Sequence, residues 1–239
     1  MPVCLSEHSP INYIREGNGY PIVLLHGWGA SAKLMMPITL AVKGYSYIVP
    51  DFYGHGNTPH PNYPLSIVDY ANSVITILKE QKITRAHFVC HSFGGRVGIY
   101  LASCYPTLVN KLILVDSAGL KPKRRIKYYT KRLFYIIRRR LGMSTDKCGS
   151  ADYKALDPIM KGTFVNVVNY HQDGQLSAIA SPTLIVWGEL DKDTPYSMAK
   201  KFKRKIPRSR LRVIKGVGHF SYAEDIKTFK KYVEEFLKE

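Results

Sequence analysis

No apolar run in the chain approaches 18 residues, which excludes a transmembrane helix in the sequence as read. Cysteine is scarce: Cys4, Cys90, Cys104 and Cys148 show no CxxC spacing and no paired framework. That argues against a disulfide scaffold and a zinc site, and for reduced thiols. The first residues, MPVCLSEHSP, lack the basic and apolar regions of a secretory signal. A cytoplasmic protein is the expectation. Internal repeats and low-complexity tracts are also missing. Hydrophobic residues make up 45% and charged residues 22%, which suits one substantial folded unit and excludes wholesale disorder.

Acidic residues are the other shortage. There are 18 against 35 Lys and Arg, leaving a net charge of +17 over 239 residues. The excess is uneven: +2 for residues 1–116, +9 for 117–178 and +6 for 179–239. Such a balance suggests an anionic partner.

What is present is a rhythm of short apolar runs and helical stretches. Strands are expected at Pro21–His26, Tyr45–Pro50, Ala86–His91, Lys111–Val115, Thr183–Trp187 and Leu211–Ile214, with an earlier one at Asn12–Arg15. Most are apolar on both faces, as in a parallel sheet covered on both sides. Helices are expected at Leu65–Gln81, Gly94–Cys104 and Ala223–Leu237. Ser66 reads as an N-cap, with Asp69 closing a capping box. Strand–helix alternation gives an α/β fold with right-handed crossovers. Residues 117–178 contain no convincing strand and read as helices inserted between two strands.

Four short segments carry chemistry. Cys90-His91-Ser92-Phe93-Gly94-Gly95 lies between a strand and a helix, where a tight turn would hold the Ser92 hydroxyl exposed. The G-x-S-x-G pattern has Cys90 in place of its first glycine. His26-Gly27-Trp28-Gly29 follows a strand and offers backbone N–H groups for an oxyanion, assigned to Trp28 and Phe93. Gly188–Asp193 places Asp191 at another strand end, and Gly216–Phe220 places His219 after the last strand. The order Ser92, Asp191, His219 differs from the chymotrypsin and subtilisin orders. His26 and His55 read as structural hydrogen-bonders. Strand alternation would point His91 away from Ser92.

These segments, together with DFYGHGNT at Asp51–Thr58 and LVDSAG beginning at Leu114, resemble the α/β-hydrolase fold over nearly the whole chain. The match is to its esterase, lipase and C–C hydrolase members. The resemblance implies a mostly parallel sheet flanked by helices, formed by residues 1–116 and 179–239, with a helical cap over the site at 117–178. It implies Ser92 as nucleophile, His219 as base and Asp191 as the acid that orients it, with no metal or organic cofactor. Some relatives carry the acid at a strand end corresponding to Asp116. A serine at the elbow argues against the aspartate-nucleophile relatives. The activity implied is hydrolysis of a small carboxylic ester through an acyl-enzyme. Carrier-protein methyl ester or thioester hydrolysis and C–C bond hydrolysis are the alternatives. A binding protein on a hydrolase scaffold is the non-enzymatic one.

The charge has a place in this picture. Lys121–Arg140 reads as a basic amphipathic helix, with Ile126, Tyr129, Leu133 and Ile137 at helical spacing. Lys200–Lys215 holds nine basic residues and no acidic one. The HGWG turn and small cap are similar to pimeloyl-acyl-carrier-protein methyl ester esterases, which implies an acidic carrier protein as partner. An anionic lipid surface is the other partner such a cap would suit. No nucleic-acid reader motif accompanies the charge.

Overall fold

The structure is a computed structural model that describes residues 3–4, 10–122 and 151–239. Its strands are β1 (Val3–Cys4), β2 (Ile11–Glu16), β3 (Tyr20–Leu25), β4 (Tyr45–Pro50), β5 (Ala86–His91), β6 (Val109–Val115), β7 (Thr183–Gly188) and β8 (Ser209–Ile214). Its helices are α1 (Ala32–Ala41), α2 (Ile67–Glu80), α3 (Phe93–Cys104), α4 (Ala151–Ala155), α5 (Pro158–Asn169), α6 (Tyr196–Lys205), α7 (Ser221–Glu224) and α8 (Ile226–Lys238). A 3₁₀ turn spans Leu176–Ala178.

The eight strands form one sheet in the order β1-β2-β4-β3-β5-β6-β7-β8. β1 and β2 join antiparallel, and every pairing from β4 to β8 is parallel. Alternation along each strand divides the core. Val23, Leu25, Phe88, Cys90, Leu112, Leu114, Ile185 and Trp187 face one side, where α2, α3 and α6 pack. Ile22, Leu24, Val89, Ile113, Val115, Leu184 and Val186 face the other, against α1 and α8. Both faces are dry, which explains why these strands read as unbroken apolar runs.

The helices follow from equally local causes. α2 buries Ile67, Tyr70, Ala71, Val74, Ile77 and Leu78, a single stripe at the 3.6-residue period. Ser66 and Asp69 form the expected capping box. α5 starts at Asp157, whose carboxylate accepts the amides of Ile159 and Met160. Between β6 and β7 the described residues form α4, α5 and the 3₁₀ turn joined by irregular segments, while residues 123–150, including most of the basic segment, lie outside the described residues. Among the described residues no helix is long and apolar enough to cross a membrane.

Candidate active site

Laying strands outward from β3 in one direction and from β5 in the other creates a crevice at their carboxyl ends, where ligands bind in open α/β sheets. The loops after β3 and β5 meet there. β5 ends at His91, and Ser92 adopts φ +50° and ψ −111° before α3 begins. A non-glycine residue in that region is strained, and strain of this kind collects at functional sites. Its surroundings hold the turn in place. The Ser92 amide donates to the Val115 carbonyl, 3.0 Å, and the Gly94 amide to the His26 carbonyl, 3.0 Å. Gly94 must be glycine, because a Cβ there would lie 2.3 Å from the Leu25 carbonyl oxygen. At Gly95 a Cβ would lie 1.9 Å from Ser117 Oγ.

His219 arrives on the loop between β8 and α7. Its Nε2 is 2.9 Å from Ser92 Oγ and its Nδ1 is 2.9 Å from Asp191 Oδ2. A carboxylate only accepts, so Nδ1 carries the proton and Nε2 is left to accept from the serine hydroxyl. Asp191, on the loop after β7, is fixed in turn. Its Oδ1 accepts the amides of Asp193 and Thr194, and the Thr194 hydroxyl lies 2.6 Å from Oδ2. Burial works against the Asp191 charge, but the hydrogen bonds from His219 and Thr194 outweigh it and hold the carboxyl below its ordinary pKa. At His219 burial also disfavours the charge. The hydrogen bond and negative charge of Asp191 overcome it and raise the imidazole pKa above its ordinary value.

The three residues read from the sequence therefore converge. Asp116 does not join them. It sits buried at the end of β6 with φ +45°, where Oδ1 accepts the Gly188 amide and Oδ2 accepts the amide and hydroxyl of Ser221. Burial pushes its pKa up to about 7. His26 takes the structural place expected of it, with Nε2 accepting the Phe52 amide and Nδ1 meeting the Gly27 carbonyl. Burial drives its pKa down to about 3, so it is neutral. His55 likewise meets the Tyr53 carbonyl.

His91, expected to point away from Ser92, packs its ring 5.0 Å from that of His219, and its Nε2 donates to the His219 carbonyl, 2.8 Å. The sequence reading also missed Thr194, Ser221 and Arg96. Thr194 was legible in principle, being part of the same DKDTP segment as Asp191.

A cavity of about 690 Å³ opens above Ser92, between Gly27, Trp28 and Phe93 on one side and Phe164, Val167 and Val168 on the other. Trp28 and Phe93 both contribute to its wall, and among the described residues their backbone amides donate to no acceptor. The second wall belongs to α5, in the inserted segment. Among the described residues, Asp191, Asp193 and His219 are the group whose types and spacing suit a metal ion. Two of these already spend their atoms on each other, on Ser92 and on Thr194.

A doubly wound sheet with a strained serine at its switch point is the architecture of a large class of hydrolases. The chain belongs to the alpha/beta hydrolase family, whose model matches residues 22–229. It is 28% identical to the 2-hydroxymuconate semialdehyde hydrolase of Pseudomonas sp. strain CF600, over 94% of this chain and 89% of the relative. It is 25% identical to Lipase 3 of Moraxella sp. strain TA144, over 87% and 74%. An esterase of Exiguobacterium antarcticum superposes with a TM-score of 0.80 at 21% identity, covering 99% of both chains.

Proposed function

We propose that this hydrolase cleaves carboxylic esters through a Ser92–His219–Asp191 triad and an acyl-enzyme intermediate, with residues 117–178 as its cap. The observation that carries the reading is the continuous hydrogen-bonded line from Ser92 Oγ through both imidazole nitrogens to Asp191, with 2.9 Å at each step. His219 takes the serine proton as Oγ attacks the carbonyl carbon, and returns it to the departing alcohol. Asp191 holds the tautomer and stabilises the imidazolium. The Trp28 and Phe93 amides, in the wall of the same cavity, would receive the oxyanion. Water then repeats the sequence and releases the acid. An acidic carrier protein remains the partner we propose for the basic surface.

The experiment is labelling with a fluorophosphonate probe alongside hydrolysis of p-nitrophenyl esters of graded chain length. Ser92→Ala should abolish labelling and lower kcat by about 10³-fold or more while the fold persists. Residual turnover above roughly one hundredth of wild type, or an acyl group found on Cys90, would refute the assignment. The similarity to a semialdehyde hydrolase gives a second reading, C–C bond cleavage with the same nucleophile. A vinylogous diketone turned over much faster than every ester in the panel would select it.

A further inference from the structure

Arg96 sits in the first turn of α3, four residues after Ser92, which is the N-cap of that helix. It lines the same cavity and is only 8% exposed. A guanidinium carries five N–H donors. One goes to the Tyr170 carbonyl, 2.6 Å, and among the described residues the others meet no acceptor. Among the described residues no carboxylate offsets its charge, and burial lowers its pKa to about 10, which still leaves it protonated at neutral pH. Its own carbonyl is held by Gln172 Nε2, 2.8 Å, and the Gln172 amide is held by the Gly119 carbonyl, 2.8 Å. The arginine is thus anchored from two sides. Burying a charge without a counter-charge is costly, and removing it from the helix would have been simple. The neighbouring cavity wall is otherwise largely apolar, with Phe164, Val167 and Val168.

We propose that Arg96 is a specificity residue that receives a free carboxylate of the substrate, so the ester cleaved at Ser92 carries a second, anionic carboxyl group. This rests on the ester-hydrolase reading for the bond cleaved, but the carboxylate site itself does not. The planar fork of Arg suits a carboxylate, and a bidentate pair fixes position as well as charge. Bound there, the anion supplies the missing counter-charge and sets the carbonyl carbon against Ser92 Oγ.

Two matched pairs test it. Mono-p-nitrophenyl glutarate is compared with p-nitrophenyl pentanoate, and 4-acetoxybutanoate with butyl acetate. The anionic member should be favoured in kcat/KM in at least one pair, and Arg96→Met should cut that preference by about tenfold or more, as loss of a charged hydrogen bond does. Arg96→Lys should restore part of it. If the wild type favours the neutral member of both pairs, or Arg96→Met lowers both members alike, the arginine is only a strut for the Tyr170 loop and the proposal fails. Calorimetry of glutarate with Ser92→Ala gives a readout free of turnover. Binding that disappears in the Ser92→Ala/Arg96→Met double variant supports the site, and no binding to Ser92→Ala overturns it. Failure of the wild type to label with fluorophosphonate would instead refute the hydrolase reading and leave the glutarate result to decide the site.

Discussion

Two buried carboxylates end neighbouring strands, yet their environments set them to different tasks. Asp191 points at His219 and stays ionised, while Asp116 fastens Gly188 to Ser221, two residues past His219. Asp191→Asn should therefore lower kcat by roughly 10²–10⁴-fold, since an amide no longer favours the productive tautomer. Asp116→Asn should cost far less in kcat and more in stability, because the amide nitrogen must face donors; steady-state kinetics and thermal melts separate the two. A reversed ranking would move the acid to Asp116. The pH profile follows from the same pair. The base works only when neutral, and Asp191 holds the His219 pKa above its ordinary value, so the acidic limb of kcat/KM should lie above pH ~6.5. In Asp191→Asn that limb should move to lower pH, toward the value burial alone would give. Linkage has the matching sign: the stability contributed by this raised histidine is complete at low pH and lost as pH rises through the folded value. At this scale the sequence was most informative where chemistry restricts the residue type. It was least so at Arg96 and His91, whose roles depend on what arrives from Tyr170 and His219 across the fold.

At the scale of elements, the departure from G-x-S-x-G at Cys90 has a compensation at Gly98, in the second turn of α3. The Cys90 side chain is fully buried against α3, and a Cβ added to Gly98 would stand 2.5 Å from its sulfur. Space for the thiol is thus made by the helix after the nucleophile, and the elbow keeps its geometry. Gly98→Ala should destabilise by about 1–3 kcal/mol through overpacking, and Cys90→Gly in the same chain should recover much of it. Denaturant titrations of the two single variants and the double variant check this, and additive effects would disprove the coupling. Sequence periodicity located the seven longer strands within a few residues, most readily β3, β5, β6 and β7, whose buried residues face both sides of the sheet. It missed α1, which contains Pro37 and draws no side-chain cap from Ser31. The Ala32 amide is capped instead by Asp51 Oδ1, 2.7 Å, a residue on the far side of β4. It missed α6 because half of that helix is Lys or Arg and it buries only Ala199 and Phe202. Both helices are defined by tertiary partners that no local pattern contains.

Over the whole molecule, a net charge of +17 meets few opposing groups. Among the described residues the ion pairs include Lys201 with Asp173, Arg210 with Glu239 and Lys230 with Glu234, all at least partly exposed. Exposed pairs contribute little, whereas self-repulsion of a large net charge disfavours the compact state. Raising KCl from about 10 to 150 mM, which shortens the screening length to about 8 Å, should therefore raise the melting temperature. A fall on adding salt would show that ion pairs outweigh repulsion. The charge asymmetry was legible from the sequence, but the cavity wall built by α5 was not, since one sequence does not say where an inserted helix lands. The parallel sheet has a last consequence, for the life of the nascent chain. Serine and histidine of the site stand 127 positions apart, and the histidine rides on the loop leaving the edge strand β8. Parallel strands need long crossovers, so such pairings close late. During synthesis Ser92 therefore emerges well before His219, and on the triad we propose the nucleophile would lack its base until the edge strand has joined the sheet.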